Sequence, residues 1–203
     1  ISANKEKSQN YILKVTRELL QDTAENILSY LRRWIAKKSK ATRNALIINK
    51  IDEMTNGKEV AITGVDDIKK IFNVKLDPDI ASGSIIITNQ DGFNWLDTQK
   101  DATGNYILQS DPTQRTKELL FGKYPIVKMS NKTLKTTSKK APFICGDLKE
   151  AITLFDRENM TIEISTEAGD LWKKDQTGIK VRERLDIQAV DSEAVVKGQI
   201  TLP

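Results

Sequence analysis

Residues 145–165 read CGDLKEAITLFDRENMTIEIS, and the way this stretch breaks into elements sets the architecture. Gly146 is a turn signal, and Asp147 offers an acceptor to the orphan amides of a short turn, LKEA. The apolar run after it and the alternating TIEIS predict strands near 152–156 and 160–165. Asp156-Arg157 stands at the seam between them, an acid beside a base. Such a pair suits either an active site or a hinge where the chain passes from one lobe to another.

Composition narrows the choice. The chain has 203 residues, 38% hydrophobic and 30% charged, enough for one large or two small domains with a real core. No apolar run is long enough to predict a membrane span, and no charged-then-apolar leader follows Ile1. Because natural chains begin with Met, Ile1 predicts a trimmed or partly disordered product, with parts of the full protein missing. Cys145 is the only cysteine and histidine is absent. That excludes internal disulfides, the usual zinc sites, and Ser–His or Cys–His catalysis, leaving carboxylate-only chemistry. Asp66-Asp67, Asp77/Asp79 and Asp52-Glu53 are the carboxylate pairs that could hold a hard cation. Beside a helix start, as at Asp66-Asp67, the plainer reading is compensation of the helix dipole. No metal, cofactor or enzymatic activity is therefore expected.

Charge is uneven. Residues 1–43 hold ten Lys/Arg against four Asp/Glu, a net of +6, while the remainder hold 22 against 24, a net of −2. The excess lies on a predicted helix, where Arg32, Arg33, Lys37, Lys40 and Arg43 fall mostly on faces other than the apolar stripe of Ala24, Ile27, Leu28, Leu31, Trp34 and Ile35. A polyanion could meet that face by counterion release; a merely solvated helix face is the plainer reading.

The remaining elements follow from periodicity and caps. YILKVT, residues 11–16, reads as a strand with Tyr11, Leu13 and Val15 on one side. Thr16 can cap a short turn, RELLQD, after which Asp22 and Glu25 have capping-box spacing and predict one long helix over about 23–48. Residues 49–64 read as a loop. A second helix is predicted over 65–75, with Val65, Ile68, Ile71 and Phe72 inward; LDPDIASG punctuates, and SIIIT is a buried strand. Asn89 can cap the next helix, which packs through Phe93, Trp95 and Leu96. After the Gly122 turn, YPIVKM reads as a strand, and SNKTLKTTSKKAPF as an exposed basic loop. STEAGDLWKKDQTG is a loop on which Trp172, beside Lys173, Lys174 and Asp175, is either an interface anchor or a side chain tucked locally against its own chain. Two strands close the chain around Asp191-Ser192. Strands and helices mix without regular alternation, so the fold class is α+β.

In this order the pieces resemble the major capsid proteins of tailed bacteriophages, with the fold named after the Hong Kong phage. VTRELLQDTAENILSYLRRWIAKK looks like that family's entry strand, turn and spine helix, and SIIITNQDGFNWLDTQKDATGNYIL like its buried strand and capped helix. LLFGKYPIVKM is similar to its Gly-x-Pro step, ICGDLKEAITLFDRENMTIEIS to its Gly-Asp and Asp-Arg signature, and VRERLDIQAVDSEAVVKGQI to its closing strands.

The resemblance implies two lobes. A peripheral lobe would hold residues 1–43 and 157–184, a long spine helix on long antiparallel strands. An axial lobe would hold 44–156 and 185–203, a mixed sheet with flanking helices. Asp156 and Arg157 would mark the lobe junction, as a fixed ion pair or cap. Trp172, Lys173, Lys174 and Asp175 would contact neighbouring subunits, and Arg32, Arg33, Lys37 and Lys40 would face the interior near DNA. The implied function is assembly of pentamers and hexamers of the chain into an icosahedral shell around non-specifically packaged double-stranded DNA. Scaffolding, protease and portal proteins are further implied partners; the shell forms in the cytoplasm of a bacterial host and has no membrane. The family's N-terminal arm and projecting hairpin are expected ahead of the entry strand. Some members cross-link subunits through Lys and Asn, but LWKKDQTG lacks the Asn, so cross-linking is not implied here. Two other readings compete. An encapsulin-type compartment shares the fold and differs in cargo. A monomeric nucleic-acid-binding module would use Arg32, Arg33, Lys37 and Lys40 and bind with a steep salt dependence. A carboxylate hydrolase has no constellation behind it.

Overall fold

The computed structural model describes residues 7–101, 103–110 and 118–202, with side chains except those of 7–11, 17–28, 109–110 and 157–159. In chain order the elements are β1 (Lys7–Thr16), α1 (Arg17–Thr55), β2 (Val60–Ile62), α2 (Val65–Lys70), a π-turn (Ile71–Lys75) and α3 (Pro78–Gly83). There follow β3 (Ile85–Asn89), α4 (Gln90–Asp97), β4 (Leu108–Ser110), β5 (Glu118–Leu120), β6 (Tyr124–Met129) and β7 (Lys140–Gly146). The chain ends with α5 (Leu148–Ala151), β8 (Ile152–Ser165), a 3-10 turn (Trp172–Lys174), β9 (Gln176–Ala189) and β10 (Val195–Thr201). It divides into two compact units, Ile1–Leu46 with Leu154–Gln188, and Ile47–Thr153 with Ala189–Pro203.

The first unit is a three-stranded sheet, β1-β9-β8, under the first part of α1. β1 pairs antiparallel with β9, Leu13 opposite Ile179 and Val15 opposite Thr177. Alternation sends Ile179, Val181, Leu185 and Ile187 of β9 to the buried side. Ile35, Leu31 and Trp34 of α1 pack there with Leu13, Val15 and Met160. The expected Tyr11, Ala24, Ile27 and Leu28 contacts fall on side chains outside the described residues.

The second unit is a seven-stranded sheet, β2-β10-β7-β3-β6-β5-β4, with a core on each face. On one face Phe143, Ile86, Leu96, Ile68, Ile71 and Phe72 cluster, and Phe72 stacks on Tyr124 with centroids 3.9 Å apart. On the other, Ile48 and Ile51 at the end of α1 pack on Ile87, Ile144 and Val195. Asn89 caps α4 as expected, its Oδ1 accepting from the Gly92 amide at 2.9 Å, and Asp147 caps α5 through the Lys149 amide at 2.9 Å.

Several boundaries differ from expectation. The long helix starts at Arg17, not near 23, because nothing interrupts propagation at Asp22: the segment after β1 is made of good helix formers. It runs on to Thr55 because Ile48 and Ile51 extend a buried stripe and Thr55 Oγ1 donates back to Ile51 O at 2.8 Å. The expected loop 49–64 thus becomes helix plus β2. LDPDIASG contains α3, started by Pro78 and capped by Asp77. Lys140–Gly146, half assigned to an exposed loop, is a central strand buried from Ala141 to Gly146. Finally, the two strands expected near 152–156 and 160–165 are one, with no break at Asp156-Arg157. β8 runs unbroken through it, its ladder with β9 holding charged residues in extended form at a sheet border.

Candidate assembly surfaces

The loop joining β8 to β9 is a built tip. Ser165 Oγ accepts from the amides of Glu167 at 3.3 Å and Ala168 at 3.2 Å. The amides of Lys174 and Gln176 both donate to Leu171 O, at 3.2 and 3.0 Å, closing the 3-10 turn. Leu171 is buried over Gly178, where an added Cβ would lie 2.6 Å from Leu171 Cδ1. With Leu171 anchored inward its neighbour turns out, and Trp172 is 78% exposed. Lys173, Lys174 and Asp175 are exposed beside it, Asp175 in the left-handed region at φ 48°. All four contact candidates therefore sit together on one tip. Trp172 and Asp175 also line a groove of about 330 Å³ with Thr166 and Glu167.

From Asn26 to Ile51, α1 carries no acidic residue. Ile35 and Ser39 mark its inward side. At about 3.6 residues per turn, Arg33, Lys37 and Lys40 share the opposite face, whereas Arg32, one turn before Ile35, borders the inward side. All four are exposed; Arg33 Nε donates to Ser29 O at 3.4 Å. The structure thus gathers three of the four candidates into a stripe.

Arg43, one turn on, behaves differently. Its Nε donates to Glu183 Oε1 at 2.6 Å, while Nη2 pairs with that oxygen and reaches Asp156 Oδ2 at 3.1 Å. Ser39 Oγ donates to Glu183 Oε2 at 2.8 Å. Glu183 is 2% exposed, and a carboxylate that deep is tolerable only when paired and hydrogen-bonded. The hydrogen bond to Glu183 raises the pKa of the Arg43 guanidinium above its usual value, with burial opposing it. Asp156 is therefore bound to a helix cation, and the Arg157 side chain lies outside the described residues. Sequence reasoning passed over Ser39, Arg43 and Glu183 as a set. The available signal was parity: in VRERLDI, Glu183 occupies the inward register of Val181, Leu185 and Ile187, where an acid demands a partner.

β8 borders its sheet, with β9 as its hydrogen-bonded neighbour. Thr161–Ser165 is exposed on both faces, including Ile162 at 44% and Ile164 at 59%. An exposed apolar edge is a template for further pairing. Among the described residues nothing comparable points to chemistry. Cys145 is fully buried, and burial pushes its thiol far up, away from the reactive thiolate. Among the described residues no group of three His, Cys, Asp or Glu could hold a metal ion, and no helix is long and apolar enough to cross a membrane.

Known proteins were compared with this geometry. No curated protein sequence matches the chain. Solved structures do: the capsid of an empty GTA particle (TM-score 0.74, 17% identity, covering 97% of this chain and 72% of that one) is similar throughout. So is a chain of Microbacterium phage Oxtober96 (0.70, 16%, 98% and 73%). A third is from a satellite phage P4 procapsid that includes the size determination (Sid) protein (0.60, 11%, 98% and 76%). At these identities the likeness establishes the fold, the α+β capsid fold expected from the sequence. The pattern of the phage capsid family matches residues 2–200. The chain belongs to the phage capsid family and is a structural major capsid protein.

Proposed function

We propose that copies of this chain close, as pentamers and hexamers, into an icosahedral shell that packages double-stranded DNA without sequence preference. In this reading the first unit is the peripheral lobe and the second the axial lobe. The observation that carries it is the long, partly apolar border of β8 running out to the Trp172 tip, surface that a lone subunit leaves uncovered. Trp172, Lys173, Lys174 and Asp175 meet a neighbouring subunit, and Arg32, Arg33, Lys37 and Lys40 face the DNA. Assembly takes place in the cytoplasm of a bacterial host with scaffolding, protease and portal proteins; the Sid protein in the P4 procapsid supports a partner of the scaffolding kind. The chain performs no catalysis.

Electron microscopy of the protein, expressed with its assembly partners, tests this. Closed particles or capsomer rings are expected from the wild type, and Trp172→Ala should lower their yield while leaving the melting temperature unchanged. Monomers under every condition would overturn the reading. Charge reversal at Arg32, Arg33, Lys37 and Lys40 should leave shells that hold less DNA.

A further inference from the structure

The second unit carries a rigid cationic tip that the reading above leaves unused. Residues 131–146 contain no acidic side chain, and Lys132, Lys135, Lys139 and Lys140 are all exposed on the hairpin entering β7. Thr137 and Lys140 exchange both backbone hydrogen bonds, at 3.2 and 2.9 Å. The two turn residues, Ser138 at φ 51° and Lys139 at φ 60°, hold left-handed conformations that Asn-Gly usually supplies. Such strain persists where surrounding contacts impose it, and here they do. Asn89 Nδ2 donates to Leu134 O at 3.1 Å and to Thr136 Oγ1 at 2.7 Å; Thr136 Oγ1 donates to Asp91 Oδ2 at 2.6 Å. The Leu202 amide ties down Lys139 O at 2.9 Å. Among the described residues no carboxylate lies within ion-pair distance of Lys132, Lys135 or Lys140.

What covers this tip is indicated by the other end of the same sheet. There, a cleft of about 660 Å³ is lined by Val74, Lys75, Asp77, Asp79, Asp191 and Glu193. Four carboxylates face one lysine, and Val74 is 78% exposed on the π-turn. The cleft is shaped by its own backbone contacts: Asp77 Oδ1 accepts from the Asp79 amide at 3.1 Å, and Asp191 Oδ1 from the Glu193 amide at 2.8 Å. β10 links the two ends, leaving Glu193 at Val195 and reaching the hairpin where Thr201 pairs Lys140. Seven residues of strand put them roughly 20 Å apart. One copy cannot seat its own tip in its own cleft.

We propose that the hairpin Asn131–Lys140 docks into the Val74–Asp79/Asp191–Glu193 cleft of a second copy of this chain. The proposal rests on the shell-subunit reading and assigns one of its contacts. The contact is heterologous, tip to cleft, and such contacts propagate into rings or filaments. A convex cation-bearing tip meets a concave anionic cleft, so complementarity would set register and the rate of encounter. DNA could also neutralise these lysines, but phosphate would take them in any geometry and would not use a tip fixed in a left-handed turn.

Charge swapping tests it, read by light scattering and electron microscopy of the whole chain. Lys135→Glu with Lys140→Glu, and separately Asp79→Lys with Glu193→Lys, should each raise the concentration for half-assembly about tenfold or more. All four together should restore it. A one-to-one mixture of the two reversed proteins should also assemble, and only into even-membered rings, because tips and clefts must alternate. Unchanged melting curves show that the variants are folded; Lys→Gln replacements at the same sites give a milder check. Wild-type shells together with unaffected reversals overturn the docking alone, whereas a wild type that never assembles removes the shell reading with it. Loss of DNA content without loss of assembly in the tip variant also overturns the docking, by making the hairpin a DNA contact.

Discussion

Replacing Arg43 with alanine tests whether the helix α1 is locked to its sheet by charge. The change leaves Glu183, 2% exposed, with the hydrogen bond from Ser39 Oγ at 2.8 Å but without its guanidinium partner. Breaking a buried ion pair by removing one partner costs about 3–5 kcal/mol. Arg43 itself is one-third exposed, so water can enter the vacated space, which brings the expected cost to about 2–3 kcal/mol. Loss of the more exposed Asp156 contact adds little. Glu183→Gln should cost less, about 1 kcal/mol, because the amide keeps the Ser39 donor and leaves Arg43 to Asp156 and solvent. Hydrogen exchange read by mass spectrometry is the suitable assay, since two units need not unfold together. Protection of residues 35–46 and 179–185 should fall about 30- to 150-fold in Arg43→Ala, with the second unit's β3 and β7 unchanged. A fall below threefold, or a larger effect from Glu183→Gln than from Arg43→Ala, would refute the reasoning.

Phe143→Ala should be the most damaging change in the second unit. Its ring is fully buried at the sheet centre, and losing it should cost about 3–5 kcal/mol, visible as a lowered melting temperature in calorimetry. Cys145 should resist a soluble thiol reagent in native buffer and react only in denaturant, because burial disfavours its thiolate; rapid native labelling would contradict the buried placement. Asp91 bears on acid stability. Hydrogen bonds from Thr136, then Asn131, hold its carboxyl below the usual carboxylate range. A lowered folded-state value stabilises above the unfolded pKa, about pH 4, and that contribution vanishes as pH falls through the folded value. The protection factor of residues 130–136, referenced to the intrinsic exchange rate at each pH, should accordingly fall in acid, and Asp91→Asn should flatten that dependence.

What the sequence disclosed was what neighbours along the chain decide. The caps at Asn89 and Asp147 are local bargains between a side chain and an amide two or three residues away, so spacing alone reveals them. SIIIT declares itself by composition, and the tip carrying Trp172 by its place between two strands. The central strand β7 was hidden for the opposite reason. Its Lys139-Lys140 opening reads as surface, and Pro142 reads as a strand breaker. The structure tolerates that proline by topology: the β3 ladder ends at Thr88 opposite Phe143, where Asn89 turns away to cap α4, and Thr88 Oγ1 donates to Pro142 O at 2.8 Å.

The same distinction governs the candidate surfaces. Lysines and arginines can be counted in a sequence, but whether each is spent inside the subunit is a non-local fact. Arg43 belongs to the same acid-free run as Arg33, Lys37 and Lys40, yet a glutamate 140 positions away neutralises it. That removes it from any surface available to DNA and leaves the stripe on the far face of the helix. Lys197 is likewise taken, by Asp52 at 2.7 Å and Glu59 at 3.8 Å, whereas Lys135 and Lys140 on the nearby hairpin have no such acid among the described residues. A cation already paired within the fold gives a neighbour little Coulombic gain, since its desolvation has been met internally. The unpaired ones are where a second copy or a phosphate can still contribute, and subtracting the internal pairs is what turns a diffuse basic composition into discrete contacts.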